Sequence, residues 1–351
     1  MGPVLLARFP QLEGLPWAGL GVRRTPVEQV RIGSADIWVK RDDLTSGVYG
    51  GNKVRKLEFI LAHARQRGAT RLITAGAAGS HHALATAVFG QRAGFDVTLV
   101  LFPQPLTNHV RAVLLADQGL GAELRFVSRM TMVPAGVAAA RLAHWRERVH
   151  VVAPGGSDPH GTLGYVNAVL ELDEQVRGGE APEPRSIVVA AGTLGTAAGL
   201  AVGLALAGRT WRIQAVRITS KLVTNERALH GLIADTCRLL GRHGVVVAPA
   251  AASALVTLVH DQVGTGYGIG TGASEAATTA FAAAGLSLDA TYTAKAAAAT
   301  MAEVLGAATA PVLFWHTLSG VMPDVERAAV AALPVPFQRY LAAGTVAADA
   351  L

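Results

Sequence analysis

Cysteine, lysine and aromatic residues are scarce in this chain. Its 351 residues include one cysteine, Cys237, so an intramolecular disulfide is excluded. Charged residues make up only 16% of the chain while hydrophobic residues reach 51%, a balance that excludes a disordered protein. The length corresponds to roughly two domains of about 150 residues each. We therefore expect a folded protein with substantial apolar cores.

Long apolar runs and a leader pattern are also missing. Runs such as Leu200–Ala207 are too short, and too often interrupted by glycine, to span a bilayer. Residues 1–10 lack the charged start and the long apolar stretch of a signal peptide. These absences predict a cytoplasmic protein with no membrane partner.

The excess of basic residues does not indicate a nucleic-acid partner. The formal net charge is +6, and clustered lysine and arginine would gain free energy from counterion release on a polyanion. The basic residues are instead spread along the chain, without the aromatic-interleaved stripe that single-strand binders use. We predict an arginine-rich, solvated surface and no nucleic-acid binding.

Primary amines are few, because lysine occurs only at Lys40, Lys53, Lys56, Lys221 and Lys295. Lys53 follows two glycines and an asparagine, which let the backbone turn sharply before a predicted helix, so its amine can point into a cleft. The alternative is that Lys53, Arg55 and Lys56 are solvated charges on a first helical turn, where the helix dipole disfavours cations. Because cations are unfavourable at this end of a helix, the presence of Lys53 there suggests a function. We expect the other four lysines to be surface or packing charges.

From about Arg71 onward, β-branched apolar runs alternate with helical patterns, which predicts parallel strands joined by crossover helices in a doubly wound α/β fold. The predicted strands are Arg71–Thr74, Asp96–Phe102, Glu123–Val127, His150–Ala153, Ser186–Ala190, Arg212–Ile218, Gly244–Val247 and Val312–Trp315. The predicted helices include His81–Ala93, Asn108–Gln118, Gly161–Val176, Ala197–Leu206 and Glu226–Leu240. The Gly/Pro-rich segment Arg177–Pro184 is predicted to be a polar surface loop.

A Gly/Thr loop stands between a predicted strand and a predicted helix. Its backbone N–H groups and the positive helix end would point at one spot, which predicts a phosphate site. The spacing is not that of a dinucleotide fingerprint, and Arg217–Ser220 stands where an acidic ribose ligand is needed. The loop also lacks the Lys-Ser/Thr pair of a P-loop, and a tight packing turn is the alternative. Its residues are Gly192, Thr193, Leu194, Gly195 and Thr196.

A second loop, ending at Ser80, also precedes a predicted helix. With Ser80 as N-cap, the N–H groups of His81, His82 and Ala83 could take a carboxylate, although capping alone is the alternative. Adjacent histidines do not share a helix face, so we predict no metal site here. The absence of a G-x-S-x-G pattern argues against a hydrolase nucleophile.

Tyr267 lies in a glycine-rich loop, Tyr292 precedes a predicted helix, and Thr317 follows the last predicted strand. Each tyrosine alone could be ordinary packing with a hydrogen-bonded tip. Together with the turn lysine, the phosphate loop and the carboxylate site, they match the needs of pyridoxal 5′-phosphate (PLP) chemistry.

At these residues the sequence resembles the D-cysteine desulfhydrase and 1-aminocyclopropane-1-carboxylate (ACC) deaminase family, in the tryptophan-synthase-β-like group of PLP enzymes. The resemblance runs from about Arg8 to Gly320, and its most specific stretches are Val39–Leu44 and Gly50–Glu58. It implies PLP fold type II, with two parallel-sheet α/β domains and the cofactor between them. We place a small inserted domain at 59–167 and a large domain at 1–58 plus 168–351.

The resemblance also implies roles for individual residues. Lys53 would bind the cofactor covalently and move protons at the substrate Cα, with Thr317 near the pyridine nitrogen and Thr293 as its rival. The cofactor would further contact Asn52, His81, Gly192, Thr193, Leu194, Gly195 and Thr196. The substrate would contact Ser80, His81, His82, Tyr267, Tyr292 and Thr293, with Ser80 and the two tyrosines also counted as catalytic.

Departures from the family pattern bear on the substrate. Deaminases of this family carry glutamate at the position of Thr293, whereas desulfhydrases carry threonine there, as this chain does. The family usually has an asparagine directly after the serine, and this chain has His81 at that position. We therefore predict a lyase that eliminates a β-substituent from a small, D-cysteine-like amino acid, giving a 2-oxo acid, ammonia and sulfide. The alternatives are an ACC deaminase or another deaminase, a racemase, a β-replacement enzyme, or an inactive PLP-binding protein. A homodimer is expected by analogy.

Overall fold

The computed structural model describes residues 2–33, 35–306 and 311–343. The strands in these ranges form two sheets. The strands are β1 (Val27–Ile32), β2 (Ala35–Lys40), β3 (Arg71–Ala77), β4 (Asp96–Phe102), β5 (Glu123–Phe126), β6 (Val149–Val151), β7 (Ser186–Ala191), β8 (Arg212–Arg217), β9 (Val256–Val259) and β10 (Val312–Trp315).

The helices connect these strands and cover their faces. They are α1 (Val4–Arg8), α2 (Asn52–Gln66), α3 (His81–Arg92), α4 (Asn108–Gly119), α5 (Val133–Ala143), α6 (Pro159–Arg177), α7 (Gly195–Ala207), α8 (Glu226–Arg242), α9 (Pro249–Ser253), α10 (Gly272–Ala283), α11 (Thr293–Gly306) and α12 (Val335–Ala343). Short 3₁₀ turns lie at Pro10–Leu12, Asp42–Leu44, Met130–Met132, Pro154–Gly156 and Val330–Ala332. Within the described ranges, no helix has the length and apolar character needed to cross a membrane.

The chain divides into two compact units, of which the first contains residues up to Phe59 and Ser157–Val321. Its sheet has the order β1-β2-β10-β7-β8-β9, and only the β1–β2 pair is antiparallel. Strand β7 is buried along its whole length, as expected for a parallel strand that helices cover on both faces. Helix α7 is buried from Gly195 to Leu204 and packs in the same core as α6 and α8.

The second unit contains Ile60–Gly156 and the described residues 322–343. Its sheet has the order β5-β4-β3-β6, and every pair in it is parallel. Strand β6 pairs with β3 and forms one edge of this sheet. The chain near its C-terminus packs here, since Ala328 donates its N–H to the Leu115 carbonyl.

The units differ in two places from the domain boundaries predicted from the sequence. The first unit resumes at Ser157 rather than at 168, because Leu163 and Val166 of α6 already lie in its core. Residues 322–343 group with the second unit, where the Tyr340 hydroxyl donates to the Gln104 carbonyl at 2.7 Å.

The parallel α/β fold predicted from the sequence is confirmed, but one predicted strand is wrong. Gly244–Val247 is not a strand, because the chain turns back onto α8 there: the Val245 N–H bonds to the Leu240 carbonyl, and Gly244 has a φ of +82°. Val256–Val259 occupies the edge position as β9 instead. The predictions did not include β1, β2 or β9.

Candidate active site

Lys53 lies in the first turn of α2, at a backbone turn in close contact with the segment after β10. The Asn52 N–H donates to the Thr317 carbonyl at 3.1 Å. Gly51 has a φ of +77°, and a Cβ there would lie 2.6 Å from the same carbonyl oxygen, so only glycine fits. The predicted turn before the lysine is therefore confirmed, and it fixes where the helix begins.

The amine of Lys53 is partly withdrawn from water. Its Nζ donates to Asn52 Oδ1 at 2.7 Å. Burial lowers the pKa of Lys53 to about 8, and the Asp289 carboxylate opposes this shift. An amine with this pKa has a substantial neutral fraction near neutral pH, as a nucleophile or base requires.

The Gly/Thr loop lies beside this turn. Asn52 Nδ2 donates to Thr196 Oγ1 at 3.2 Å, which connects the lysine turn to the loop. Ser157 Oγ donates to Thr193 Oγ1 at 2.8 Å and accepts the Gly195 N–H at 3.1 Å. The loop precedes α7, whose first N–H groups have no partner within the helix and can bind an anion.

Leu194 is the one non-glycine residue with positive φ in the described part of the chain, at +71°. It stands directly before α7, and its side chain is buried in the core of the first unit. A left-handed backbone costs a non-glycine residue roughly 1–2 kcal/mol. Burial of the leucine side chain offsets this cost, so the loop tolerates a residue other than glycine here.

Lys56 is a further candidate site residue, which the sequence-based predictions did not include. Its side chain is buried, and a Cβ on Gly195 would lie 2.9 Å from Lys56 Nζ. Burial and the nearby charge of Lys53 hold the pKa of Lys56 well below its ordinary value. Lys56 stands one helical turn after Lys53, and that spacing is the sequence signal that could have identified it.

Of the four remaining lysines, which were expected to be surface or packing charges, Lys40, Lys56 and Lys295 are buried. Lys40 Nζ pairs with Glu171 at 2.6 Å, and Lys295 Nζ donates to the Val263 carbonyl at 2.7 Å. Lys40 and Lys295 are held in place by these polar partners. Only Lys221 is exposed, as expected for a surface charge.

Tyr267 and Tyr292 form a pair of phenols in the first unit. Their hydroxyl oxygens are 2.5 Å apart, and their rings meet edge to face. Tyr292 Cε1 would lie 3.6 Å from a Cβ on Gly192, so this ring lies against the phosphate loop. Burial raises the pKa of both phenols, and that of Tyr292 well above its ordinary value. Both side chains are therefore neutral proton donors at pH 7.

Asp289 orients the segment that carries Tyr292. Its carboxylate accepts the N–H groups of Tyr292 at 2.8 Å and Thr293 at 3.0 Å. The Thr293 hydroxyl donates to the same carboxylate at 2.7 Å and accepts the Asp289 N–H at 2.8 Å. Because the Thr293 hydroxyl already donates its proton to Asp289, it has no proton left to donate to a pyridine nitrogen. Thr317 is therefore the better candidate for that role.

Ser80, His81 and His82 lie in the second unit, at the start of α3. Ser80 Oγ accepts the Ala83 N–H at 3.3 Å, which is the capping role considered above. His82 is buried, with its Nε2 atom 2.9 Å from Thr74 Oγ1, so its side chain packs inside the unit. The half-buried His81 ring lies 4.7 Å from that of His109.

A buried network of charges, which the sequence-based predictions did not include, lies beneath the lysine turn. Asp42 accepts hydrogen bonds from Arg55 at 2.8 and 3.1 Å, from Tyr165 at 2.7 Å and from Trp315 at 2.7 Å. Glu171 pairs with Arg55 at 3.0 Å and with Lys40 at 2.6 Å. Two cations and two anions thus balance in the core, and Arg55 connects them to the helix that carries Lys53.

The family model for the pyridoxal-phosphate dependent enzymes matches residues 19–317 of this chain. The protein belongs to this family. The geometry of this PLP enzyme fits the cofactor independently of that match. The start of α7 carries N–H groups that could bind a phosphate, and the Lys56 amine on α2 lies beside them near Gly195. Lys53 on the same helix offers an amine to an aldehyde.

Relatives of this PLP enzyme have several activities. The nocardicin C-9′ epimerase of Nocardia uniformis subsp. tsuyamanensis is 38% identical over 293 residues, covering 80% of this chain and 85% of that one. The D-cysteine desulfhydrase of Salmonella newport (strain SL254) is 33% identical over 337 residues, covering 89% and 94%. A solved structure of an ACC deaminase homologue is 30% identical, with a TM-score of 0.76 and coverage of 97% and 99%.

Replacing Lys56 with methionine is expected to weaken PLP binding by about 10- to 100-fold, since a hydrogen bond to a charged group contributes about 1.5–3 kcal/mol. An absorbance titration of the cofactor-free variant measures this affinity. Lys221→Met, which removes an exposed lysine, is the matched control and is expected to bind as the parent does. Equal affinity in Lys56→Met and the parent would exclude a phosphate contact for Lys56.

Proposed function

We propose that this enzyme eliminates the β-substituent of a small D-amino acid, with D-cysteine as the first substrate to test. The observation that carries the proposal is the neutral Tyr267–Tyr292 pair, which lies in the same unit as the Lys53 amine. A β-elimination needs a base at Cα and an acid at the leaving group, and these residues supply one of each.

When bound, PLP supplies an electron sink that makes the substrate Cα proton acidic. Lys53, with a pKa near 8, then accepts the Cα proton. As the Cβ–S bond breaks, the departing sulfur keeps the bonding electrons and takes a proton from the Tyr292 hydroxyl. The Tyr267 hydroxyl oxygen lies 2.5 Å from that of Tyr292 and orients it. Hydrolysis of the resulting unsaturated amine with one water yields the 2-oxo acid and ammonia, so the products balance.

The choice of D-cysteine is supported by the Salmonella relative, named a D-cysteine desulfhydrase, which matches 89% of this chain. It is also supported by Thr293, which stands where deaminases of the family carry glutamate. Position 293 therefore offers no carboxylate to the cofactor ring, and the Thr293 hydroxyl is itself bonded to Asp289.

An epimerase or racemase is the second candidate, favoured by the Nocardia relative named an epimerase. Inversion at Cα needs a base on one face and an acid on the other, and Lys53 with Tyr292 could supply both. The two reactions share the removal of the Cα proton. They differ in whether the β-substituent leaves.

A panel of D-cysteine, L-cysteine, D-serine and ACC separates these candidates when 2-oxo acid, ammonia and sulfide are measured together with Cα–H exchange in D₂O. We expect equal amounts of sulfide, ammonia and 2-oxo acid from D-cysteine. Exchange with inversion and no sulfide would instead identify an epimerase or racemase. Ammonia from ACC with none from D-cysteine would identify the deaminase.

Tyr292→Phe is expected to lower sulfide release from D-cysteine by about 10²- to 10⁴-fold, the usual contribution of a positioned general acid. Cα–H exchange should fall much less, because Lys53 is unchanged. Tyr340→Phe, which removes a phenol of the second unit bonded to Gln104, is the control and should retain both rates. A parallel loss of exchange and elimination in Tyr292→Phe would contradict the role given to Tyr292.

The expected homodimer and cytoplasmic location stay predictions from the sequence. Sedimentation equilibrium tests the first through the mass in solution, which for a dimer is twice the 36.3 kDa of the chain.

A further inference from the structure

A cationic cavity opens on the second unit, and none of its residues belongs to the candidate active site. Its volume is about 390 Å³, and its lining includes Arg67, Arg141, Arg148, Val149, His150 and Val151. The three arginine side chains are exposed, and none of the described residues that line the cavity carries a carboxylate. The side chains that line the cavity therefore carry a net positive charge.

The three guanidinium groups have not been neutralised by acidic neighbours. In the described ranges, no ion pair involves Arg67, Arg141 or Arg148, although many other arginines are paired. Glu147 precedes Arg148 in the chain, but its carboxylate is bound by Arg71 at 2.6 Å and lies 2.7 Å from His144. Three positive charges thus line one cavity, and no ion pair within the described part of the chain neutralises them.

Ordered backbone holds these residues in place. The Arg148 carbonyl accepts the Thr70 N–H at 2.8 Å, immediately before β6, the edge strand of the sheet. The Arg67 N–H bonds to the His63 carbonyl at the end of α2, and the His63 ring meets the His150 ring edge to face at 5.8 Å. Arg141 lies in the last turn of α5. Two helix ends and a strand edge therefore converge on the cavity.

The chemistry of the lining selects the ligand. Guanidinium groups bind phosphate oxygens in bidentate fashion, and three of them call for a ligand with several negative charges. A volume of about 390 Å³ lies within the range of small-molecule sites. We propose that this cavity binds a small polyphosphate: two or more linked phosphoryl groups, either free or as part of a nucleotide.

The test is calorimetric titration of the full-length, PLP-loaded protein with tripolyphosphate at constant ionic strength. We expect saturable binding of one ligand per chain. Arg141→Gln and Arg148→Gln should each weaken it by about 10- to 100-fold, given about 1.5–3 kcal/mol for a hydrogen bond to a charged group. Arg129→Gln, which changes an exposed arginine of the same unit outside the cavity, should bind as the parent does. Unchanged far-UV circular dichroism shows that each variant is folded.

Parallel titrations with ATP and ADP identify the source of the phosphoryl groups. Tighter binding of a nucleotide than of tripolyphosphate supports a nucleotide ligand, and equal binding supports recognition of the phosphate chain alone. The proposal is overturned by the absence of saturable binding at millimolar ligand, or by equal weakening in Arg129→Gln. It is also overturned if Thr196→Ala abolishes binding while the Arg141 and Arg148 variants retain it, because the ligand would then occupy the loop after β7.

Discussion

Lys53→Ala is expected to abolish covalent attachment of the cofactor and to lower turnover by at least about 10³-fold, within the range of a positioned general base. The variant loses both the amine that bonds the aldehyde and the base at Cα. Its fold should be retained, because the side chain is only half-buried and its hydrogen bond is to the adjacent Asn52. Turnover of D-cysteine and the absorbance of the loaded protein measure the two losses.

Lys221→Ala is the matched control, since it removes an exposed lysine, and it should retain both properties. The amine pKa adds a pH dependence to the same prediction. Because only the neutral amine attacks an aldehyde, the rate of cofactor uptake should rise about tenfold per pH unit below pH 8 and level off above it. Uptake that does not change between pH 6 and 9 would show that Lys53 does not control attachment.

Asp42→Asn is expected to lower the free energy of unfolding by about 3–5 kcal/mol, the usual cost of removing one partner from a buried ion pair. Asp42 has no exposed surface, and it accepts bonds from Arg55, Tyr165 and Trp315. An amide of the same shape cannot balance the charge of Arg55. Because Arg55 stands on the helix that carries Lys53, cofactor affinity should fall as well.

Urea unfolding measures this loss, and Arg24→Gln is its control. Arg24 pairs with Glu180 at 2.6 Å on the surface, where an ion pair contributes about 0–1 kcal/mol. Similar destabilisation by both variants would contradict the importance given to the buried network.

Glu171 gives the network a pH dependence. Burial opposes its ionisation, but Arg55 and Lys40 lower the pKa of Glu171 to about 2. A carboxylate whose pKa is lower in the folded state stabilises the fold above its unfolded pKa. This contribution is lost as the pH falls from about 4.5 toward 2, so stability should decline across that window.

Local patterns account for the parts of the fold that the sequence could predict. Asp96–Phe102 and Val312–Trp315 are strands with the predicted bounds, because each is an apolar run bounded by turn residues. Gly244–Val247 has the same local character but follows a helix end that folds back. A run of four residues carries too little periodicity to separate these two outcomes.

The candidate site likewise has parts that local sequence predicts and parts that depend on long-range packing. The turn before Lys53 and the loop at residues 192–196 could be predicted because glycine reports local backbone geometry. The proximity of Lys56 to Gly195 depends on how α2 and α7 pack, which is set by residues far apart in the chain. The pairing of Arg55 with Asp42 and Glu171 is similarly non-local, so the sequence alone could not show which charged residues of the motif around Lys53 belong to the buried network.

Borohydride reduction of the PLP-loaded protein, followed by mass mapping of its peptides, tests the central claim most directly. The reduction makes the bond between the cofactor and its lysine permanent, so the labelled peptide identifies the residue. We expect the pyridoxyl group on Lys53, with none on Lys56. A label on Lys56 or on any other lysine, or the absence of a label from the loaded protein, would contradict the account.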